Sequence, residues 1–342
     1  MLSTRIALDV MGGDLAPEAP IKGALRASSA LGRLRIAPER VVMVGDEERI
    51  RAVLEAEGGN PGFAVQHASE VIGMGESPAG ALRAKRDSSI AVCIGIAKAG
   101  DAGGVVSMGN TGACVGAATL GLGTLDGVRR AGIAVTLDLT GNPVSILDMG
   151  ANISPKPDHM LQYGVMGSIY MERCLALRNP RVGLLNIGAE PGKGTALLKN
   201  AHRLFEASGL NFVGNLEGGD VFRSVADVVV TDGFTGNVML KLIEDFSAYM
   251  LEMVLGELKA HQVTWAPEAL ANVRRNIDYA EYGGALLLGV NGVVVIGHGR
   301  SDESAVANAI GLACRAIDSN VNQHIVLGVA ETAAQTSVDA AS

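Results

Sequence analysis

Polar loops rich in glycine follow several apolar segments of this chain, and they hold the residues best suited to chemistry. The loop at residues 9–14 combines two carboxylates with Gly12 and Gly13, and the loop at 107–112 places Asn110 between glycines. Glycine allows tight turns with outward-facing backbone N–H groups, and a helix N-terminus attracts anions. Three further loops share this character, at residues 186–195, 231–237 and 297–301. Because ligands of open α/β sheets bind outside the carboxyl ends of the strands, the five loops predict one site for a phosphate-like anion at one edge of a sheet.

The common nucleotide and hydrolase motifs are missing from the sequence. None of the Gly-x-Gly pairs completes a dinucleotide fingerprint, and segment 188–195 has Gly194 where the Ser or Thr of a P-loop would hold Mg²⁺. No G-x-S-x-G elbow and no H-E-x-x-H pair occurs. Nicotinamide, ATP, serine-hydrolase and zinc chemistry are therefore disfavoured.

Single residues in the loops support two interpretations each. Asp9, Asp148 and Asp232 end apolar segments, where a carboxylate acts as an acid or base, or caps a helix. His298 acts either as an acid or base or as a hydrogen-bonded structural residue. Each loop alone is also ordinary turn chemistry, so only the combination of loops points to a ligand.

The apolar segments that end in these loops are typical of strands. Segments rich in Val and Ile predict strands at 6–11, 41–45, 63–67, 105–108, 133–137, 144–148, 182–187, 212–215, 228–231, 285–290 and 293–296. Helical spacing lies between many of them, at 18–31, 78–98, 111–125, 158–175, 193–207 and 304–317. This alternation predicts an α/β layered sandwich with a largely parallel sheet, forming a single catalytic domain over residues 1–330.

Two segments depart from the alternation of strands and helices. Residues 237–259 have the spacing of a long helix with an apolar, Met-containing face, and a second helix through 270–277 follows a turn that contains Trp265. They predict a projecting helical hairpin over 237–277, whose apolar face packs in the core, against a second copy, or against acyl chains and membrane. The small polar residues of 331–342 predict a disordered tail.

Composition narrows the class of protein. Glycine accounts for 45 of 342 residues without a Gly-X-Y period, and 48% of residues are hydrophobic, which excludes collagen and a disordered chain. The formal net charge of −8 argues against a general nucleic-acid binder. Four scattered cysteines predict buried free thiols, and no signal-like or membrane-spanning apolar segment is present, so we expect a soluble, cytoplasmic protein.

Eight stretches of the chain form a joint pattern: IALDVMGGD (6–14), KRDSS (85–89), GNTGA (109–113), LDMGAN (147–152), VGLLNIG (182–188), NFVGNLE (211–217), ADVVVTDGFTGN (226–237) and residues 278–299. Taken together and in this order, they resemble the bacterial phosphate acyltransferase family of phospholipid synthesis. The resemblance extends over residues 5–318. It implies an enzyme that forms acyl-phosphate from acyl-[acyl-carrier protein] and orthophosphate, without metal or cofactor.

The resemblance also implies a fold and partners. The family's fold is similar to those of isocitrate and isopropylmalate dehydrogenases and of phosphotransacetylases, which are three-layer sandwiches around a largely parallel mixed sheet. The family is known as a homodimer that acts at the membrane periphery and feeds an integral-membrane glycerol-3-phosphate acyltransferase. Those properties are expected here.

The chemistry of this reaction suggests roles for the loop residues. Phosphate must be held as a dianion, and the tetrahedral oxyanion formed on the thioester must be stabilised. Phosphate binding is assigned to Gly12, Gly13, Asp14, Gly109, Asn110 and Thr111, and catalysis to Lys193, Asn186, Asp232, Asn237 and His298. An acidic carrier would need a local basic surface, for which Arg83, Lys85 and Arg86 are the first candidates, followed by Arg129 with Arg130 and Arg274 with Arg275. Basic residues of this kind also occur on plain solvated helix faces.

Two rival functions remain open at this point. A phosphotransacetylase-like enzyme that uses acyl-CoA would need the same phosphate loops. A non-catalytic, membrane-associated scaffold would use the Met-containing hairpin, but it leaves the five polar loops without a purpose.

Overall fold

The computed structural model describes residues 3–30, 35–138, 141–261, 263 and 283–339. Eleven strands form one sheet in the order β3-β2-β1-β4-β11-β10-β5-β6-β9-β7-β8. The strands are β1 Ile6–Asp9, β2 Val41–Gly45, β3 Ala64–His67, β4 Gly104–Ser107, β5 Gly132–Asp138, β6 Pro143–Leu147, β7 Val182–Leu185, β8 Phe212–Leu216, β9 Val228–Val230, β10 Ala285–Leu288 and β11 Val293–Ile296. Each coincides with one predicted strand, so the strand prediction is confirmed.

Helices cover both faces of the sheet. They are α1 Glu18–Ser29, α2 Glu47–Ala56, α3 Pro78–Ala84, α4 Ser89–Ala99, α5 Thr111–Gly121, α6 Pro157–Leu175, α7 Ala196–Glu206, α8 Gly218–Phe222, α9 Gly233–Ala260, α10 Glu303–Asp318 and α11 Val321–Asp339, with a 3-10 turn at Pro38–Arg40. Successive strand residues pack into opposite layers, since Ile6 and Leu8 join one core cluster and Ala7 joins the other. The predicted three-layer α/β sandwich is confirmed.

The strands run in two opposed groups. Strands β1, β2, β3, β4 and β11 are mutually parallel, whereas β5 and β6 pair antiparallel and β6 then runs parallel to β9, β7 and β8. The carboxyl ends of the first group therefore lie at one edge of the sheet, which we call the first edge. The carboxyl ends of β6, β7, β8 and β9 lie at the opposite edge, the second edge.

The helix predictions hold with three corrections. The segment predicted as one helix at 78–98 is two helices, because Lys85 turns back to bond the Val71 carbonyl and Glu76. The tail expected to be disordered from residue 331 continues as helix α11 to Asp339, with Thr332 buried and the Thr336 hydroxyl donating to its carbonyl oxygen. Residues 233–236, expected in a loop, form the first turn of α9.

The predicted helical hairpin is described only in its first half. Helix α9 matches its first helix, whereas the second helix, with Trp265, Arg274 and Arg275, lies outside the described residues. Among the described residues, no helix has the length and apolarity needed to cross a membrane. All four cysteines are buried and free, as predicted.

Candidate functional site

A buried carboxylate organises the first edge. The Asp9 side chain is 2% exposed and accepts hydrogen bonds from the Ser107 hydroxyl (2.7 Å) and the Met11 N–H (3.1 Å). A Cβ at Gly12 would lie 2.6 Å from Asp9 Oδ2 and 2.8 Å from the Gly109 nitrogen. Glycine is needed at position 12 because the loops 9–14 and 107–112 touch there, which leaves no room for a ligand between these two loops.

The cavity beside Asp9 is small. It has a volume of about 10 Å³ and is lined by Asp9, Ser89, Ser107 and Asn110, among others. A space of that size holds roughly one water molecule, so a phosphate ion does not fit inside it.

The side chain of Asn110 is committed to the protein. Its Oδ1 accepts from the Ala113 N–H (3.0 Å) as the cap of α5, and its Nδ2 lies within hydrogen-bond distance of the carbonyl oxygens of Gly73, Met74 and Glu76 (3.3, 3.0 and 3.1 Å). The amide thus joins the α5 N-terminus to the turn at 73–76, and no hydrogen of its nitrogen is left for a ligand.

The loops 9–14 and 297–301 also meet at this edge. The Asp14 N–H donates to the Gly299 carbonyl oxygen (2.7 Å), and Gly13 takes a φ of +100° beside it. His298 Nδ1 accepts from the Arg300 N–H at 3.2 Å. Thr111 is the first residue of α5 and is exposed. The first edge therefore unites Gly12, Gly13, Asp14, Gly109, Asn110, Thr111 and His298.

Burial gives Asp9 a pH-dependent effect on stability. Desolvation raises the pKa of this carboxyl above its ordinary 3.8, although Ser89, Ser107 and two N–H groups counteract it. Folding then favours the protonated acid. The stability that the protonated Asp9 contributes is complete below the unfolded pKa and is lost as the pH rises through the folded pKa.

The neutral side chain of Asp9→Asn does not lose this contribution. We therefore expect the free energy of unfolding of Asp9→Asn, relative to that of wild type, to be larger at pH 8 than at pH 4.5, as measured by urea unfolding. The exposed Asp14→Asn is the control, and an equal gain in both variants would contradict the argument.

A second buried carboxylate organises the second edge. Asp148 is fully buried; its Oδ1 accepts from the N–H groups of Ile133, Gly150 and Ala151, at 3.0 to 3.2 Å. Its Oδ2 accepts from the backbone N–H of Asn152 (2.7 Å) and from the Asn152 amide (3.1 Å). Desolvation raises the pKa of Asp148, although these donors counteract it. The arrangement fixes the loop 148–152 and leaves the carboxylate without access to substrate.

Helix α9 begins against this loop. Asp232 caps it by accepting from the Thr235 N–H (2.9 Å) and hydroxyl (2.7 Å). A Cβ at Gly236 would lie 2.0 Å from the Asp148 carbonyl oxygen, so only glycine allows the helix to pack this closely. One residue further on, Asn237 is exposed, and its side chain lies over Gly150.

Lys193 lies in a tight turn between β7 and α7. Its N–H donates to the Glu190 carbonyl oxygen (3.0 Å), which closes a β-turn with proline and glycine at its centre. Asn186, 9% exposed, donates its amide N–H to the Lys193 carbonyl oxygen (3.2 Å). Gly194 has a φ of +84°, and a Cβ there would lie 2.3 Å from Asn186 Oδ1. The exposed Lys193 is thus held just before Thr195, the N-cap of α7.

The structure therefore splits the predicted site residues into two groups. Lys193, Asn186, Asp232 and Asn237 lie at the second edge, in the segments that follow the neighbouring strands β7 and β9. The predicted phosphate-binding residues and His298 lie at the first edge. Seven strand-to-strand steps separate β1 from β7, or roughly 34 Å along the sheet at ~4.8 Å a step. The expectation that all five loops meet at one edge is wrong, because the β5–β6 hairpin reverses the direction of the later strands.

The second edge has the elements of an anion site. Helices α7 and α9 begin there, and this edge also holds the exposed ammonium of Lys193 and the exposed amide of Asn237. Two helix N-termini and one cation favour a phosphate-like anion. Among the described residues, no group of three or more His, Cys, Asp and Glu side chains could hold a metal ion.

Sequence reasoning overlooked three residues of this edge: Asn152, His202 and Asn215. Asn152 and Asn215 bond backbone carbonyl oxygens of Ala131 and Glu190, and His202 bonds Asn215. A buried polar residue at the end of a predicted strand was the available signal for Asn215, which lies at the end of segment 212–215.

Solved structures with this architecture include phosphotransacetylases. The phosphotransacetylase of Streptococcus pyogenes aligns with a TM-score of 0.60 at 18% identity, covering 92% of this chain and 94% of that chain. A branched-chain phosphotransacylase of Enterococcus faecalis aligns with a TM-score of 0.54 at 14% identity, covering 91% and 98%. The fold thus places the protein in the class of three-layer α/β proteins built like phosphotransacetylases.

Sequence comparison identifies the family within that class. A model of the fatty acid synthesis protein family matches residues 4–324. Phosphate acyltransferases of Desulforamulus reducens and Dictyoglomus turgidum are 42% and 41% identical over 332 and 335 residues, and each alignment covers at least 95% of this chain and 97% of the relative. The chain belongs to the phosphate acyltransferase family, and it is an acyl-transferring enzyme. This membership confirms the resemblance and excludes the non-catalytic scaffold.

Proposed function

We propose that this enzyme forms acyl-phosphate from acyl-[acyl-carrier protein] and orthophosphate, the first step toward phosphatidic acid in phospholipid synthesis. The observation that carries the proposal is the second edge, where Lys193 and the α7 N-terminus lie two strands from the Asp148 loop, with Asn237 between them. We assign to this edge both the phosphate dianion and the carbonyl oxygen of the thioester.

In the proposed reaction, a phosphate oxygen attacks the thioester carbon and forms the new C–O bond. The tetrahedral oxyanion then collapses, the C–S bond breaks, and the carrier thiolate leaves and takes up a proton. Lys193 and the α7 N–H groups hold the dianion, and the exposed Asn237 amide donates to the carbonyl oxygen. Asn186 and Asp232 position these groups, since their side chains are committed to the Lys193 carbonyl oxygen and the α9 cap.

Phosphate binding by Gly12, Gly13, Asp14, Gly109, Asn110 and Thr111 stays a prediction. Two features count against it: the Asn110 amide is already used, and the cavity beside Asp9 has a volume of only about 10 Å³. His298 has no part in the proposed mechanism, because it follows β11 at the first edge, five strand-to-strand steps from β7.

The proposal is tested by thiol release from acyl-carrier protein with and without phosphate, with the acyl-phosphate trapped by hydroxylamine. We expect release that requires phosphate and a trapped acyl hydroxamate in equal amount. Acyl-CoA at the same concentration is the matched donor. The similarity of fold to phosphotransacetylases supports that alternative, and faster release from acyl-CoA would replace our proposal with it.

The surface that meets the carrier is proposed to lie near the second edge. Lys85 is paired with Glu76, and Arg83 and Arg86 lie on the side of the first edge. Arg130 is exposed and adjoins Ala131, whose carbonyl oxygen accepts from Asn152 in the Asp148 loop. Arg129 beside it pairs with Asp158.

Charge reversal separates the two surfaces. The resemblance implies an acidic carrier, so we expect Arg130→Glu to raise KM for the acyl carrier about tenfold with little change in kcat. Arg83→Glu, a matched reversal at the other surface, should raise it less. Steady-state kinetics at varied concentrations of the acyl carrier measure both KM values. A larger increase in KM for Arg83→Glu than for Arg130→Glu would instead support the surface of Arg83, Lys85 and Arg86 that the sequence predicted.

We also propose a homodimer at the membrane periphery that supplies an integral-membrane glycerol-3-phosphate acyltransferase. Helix α9 supports this, since Leu242, Phe246, Tyr249 and Met253 form an exposed apolar stripe between 49% and 64% accessible. Co-sedimentation with liposomes and light scattering of a Phe246→Asp variant would test the membrane contact and the dimer separately.

A further inference from the structure

A buried polar chain ends at the turn that holds Lys193. Asn215, on β8, is 6% exposed and donates its amide N–H to the Glu190 carbonyl oxygen at 2.8 Å. That oxygen is the one that closes the turn by accepting the Lys193 N–H. The two carbonyl groups of the turn, those of Glu190 and Lys193, are therefore each bonded by a buried asparagine, Asn215 and Asn186.

A histidine fixes the orientation of the Asn215 amide. His202, 4% exposed on α7, has Nδ1 at 3.0 Å from Asn215 Oδ1. Because the Asn215 nitrogen donates to Glu190, its oxygen must accept, so His202 carries a hydrogen on Nδ1. The other ring nitrogen lies 3.4 Å from a Glu206 carboxylate oxygen, and the ring packs edge-on against Phe212.

The hydrogen bonds of His202 and Asn215 connect helix α7 to the turn that precedes it. His202 belongs to the helix whose N-terminus follows Lys193, so Asn215 ties the turn to the same helix. Moving the Glu190 carbonyl group would leave a buried amide donor unpaired, which is costly. The turn therefore keeps a fixed position relative to the N–H groups of α7.

We propose that Asn215 and His202 are positioning residues that hold Lys193 against the α7 N-terminus, so that ammonium and N–H groups meet phosphate in one preformed geometry. The inference rests on the proposed function, which gives Lys193 its contact with phosphate. Neither residue touches the substrate. Their effect comes from fixing the Lys193 backbone relative to the α7 N-terminus, which limits the region that the ammonium can reach.

The test replaces Asn215 by the isosteric aspartate. The carboxylate of Asn215→Asp cannot donate to Glu190, and it repels that carbonyl oxygen. Asn211→Ala is the matched control, since Asn211 precedes the same strand and donates to the Asn179 carbonyl oxygen (3.0 Å) away from the turn. Two quantities are measured: the NMR shift of ¹³C-dimethylated Lys193, assigned with Lys193→Ala, and the kinetic constants for phosphate.

We expect Asn215→Asp to move the Lys193 resonance and to raise phosphate KM about tenfold, with a smaller change in kcat. Asn211→Ala should change neither. If Asn215→Asp does not fold, His202→Phe carries the test, because it removes the Nδ1–H donor and keeps a ring against Phe212. A Lys193 resonance unchanged in the folded variant overturns the inference. A resonance that moves while Lys193→Ala retains wild-type kinetics supports the positioning and instead removes Lys193 from the proposed function.

Discussion

Replacing Lys193 by alanine is expected to lower kcat/KM for phosphate by about 100-fold. The exposed Lys193 ammonium belongs to the residue that comes just before the α7 N-cap. The Lys193 N–H donates to the Glu190 carbonyl oxygen, and the Lys193 carbonyl oxygen accepts from the Asn186 amide. Without it, the phosphate dianion keeps only backbone N–H donors. Initial rates of phosphate-dependent thiol release at varied phosphate measure the effect.

The control for this variant lies on the same helix. Lys199 is exposed on α7, further from its N-terminus, so Lys199→Ala removes an equal charge without touching the turn. It should leave kcat/KM within about twofold, since helix-terminus effects fall off within the first turn. Equal losses in the two variants would mean that general charge, and not the position of Lys193, attracts phosphate.

The second large effect concerns folding at the second edge. Asp148→Ala should lower the free energy of unfolding by about 4 kcal/mol, because it leaves buried donors unpaired. Those donors belong to Ile133, Gly150, Ala151 and Asn152. Such a loss is a large part of the typical stability of a domain, and the α9 N-terminus packs on the same loop. Urea unfolding followed by circular dichroism measures it.

Asp126→Ala provides the comparison, since that carboxylate is exposed. It should change stability by less than about 0.5 kcal/mol. A folded Asp148→Ala enzyme of wild-type stability would contradict the structural role, and one with normal stability but no activity would make Asp148 a reacting group instead.

The strands were predictable because each is a short run of Val and Ile bounded by turn residues. Their direction was not. The reversal at β5–β6 depends on the antiparallel pairing of these two strands, in which Val135 lies opposite Ile146. A local sequence pattern does not reveal which strands pair or in which direction. Polar loops that look alike in sequence therefore lie at opposite edges of the sheet.

The candidate site was predictable in residue type and only partly in role. Asp232 was open to two interpretations, an acid or base and a helix cap, and it was assigned to catalysis; in the structure its side chain caps α9. Asn110 and Lys85 looked free for substrates, but both bond the turn at 73–76, a contact between residues distant in sequence. Asn215 and His202 were overlooked because a single buried amide or imidazole resembles any satisfied core residue.

Phosphate is proposed to bind at the second edge of the sheet, and the proposed reaction depends on that location. Backbone amide NMR shifts during a titration with inorganic phosphate test it most directly. We expect saturable shifts at residues 192–198 and at Asn237, and none at Gly12, Gly13 or Thr111. Saturable shifts confined to Gly12, Gly13 and Thr111 would contradict it and place the phosphate at the first edge.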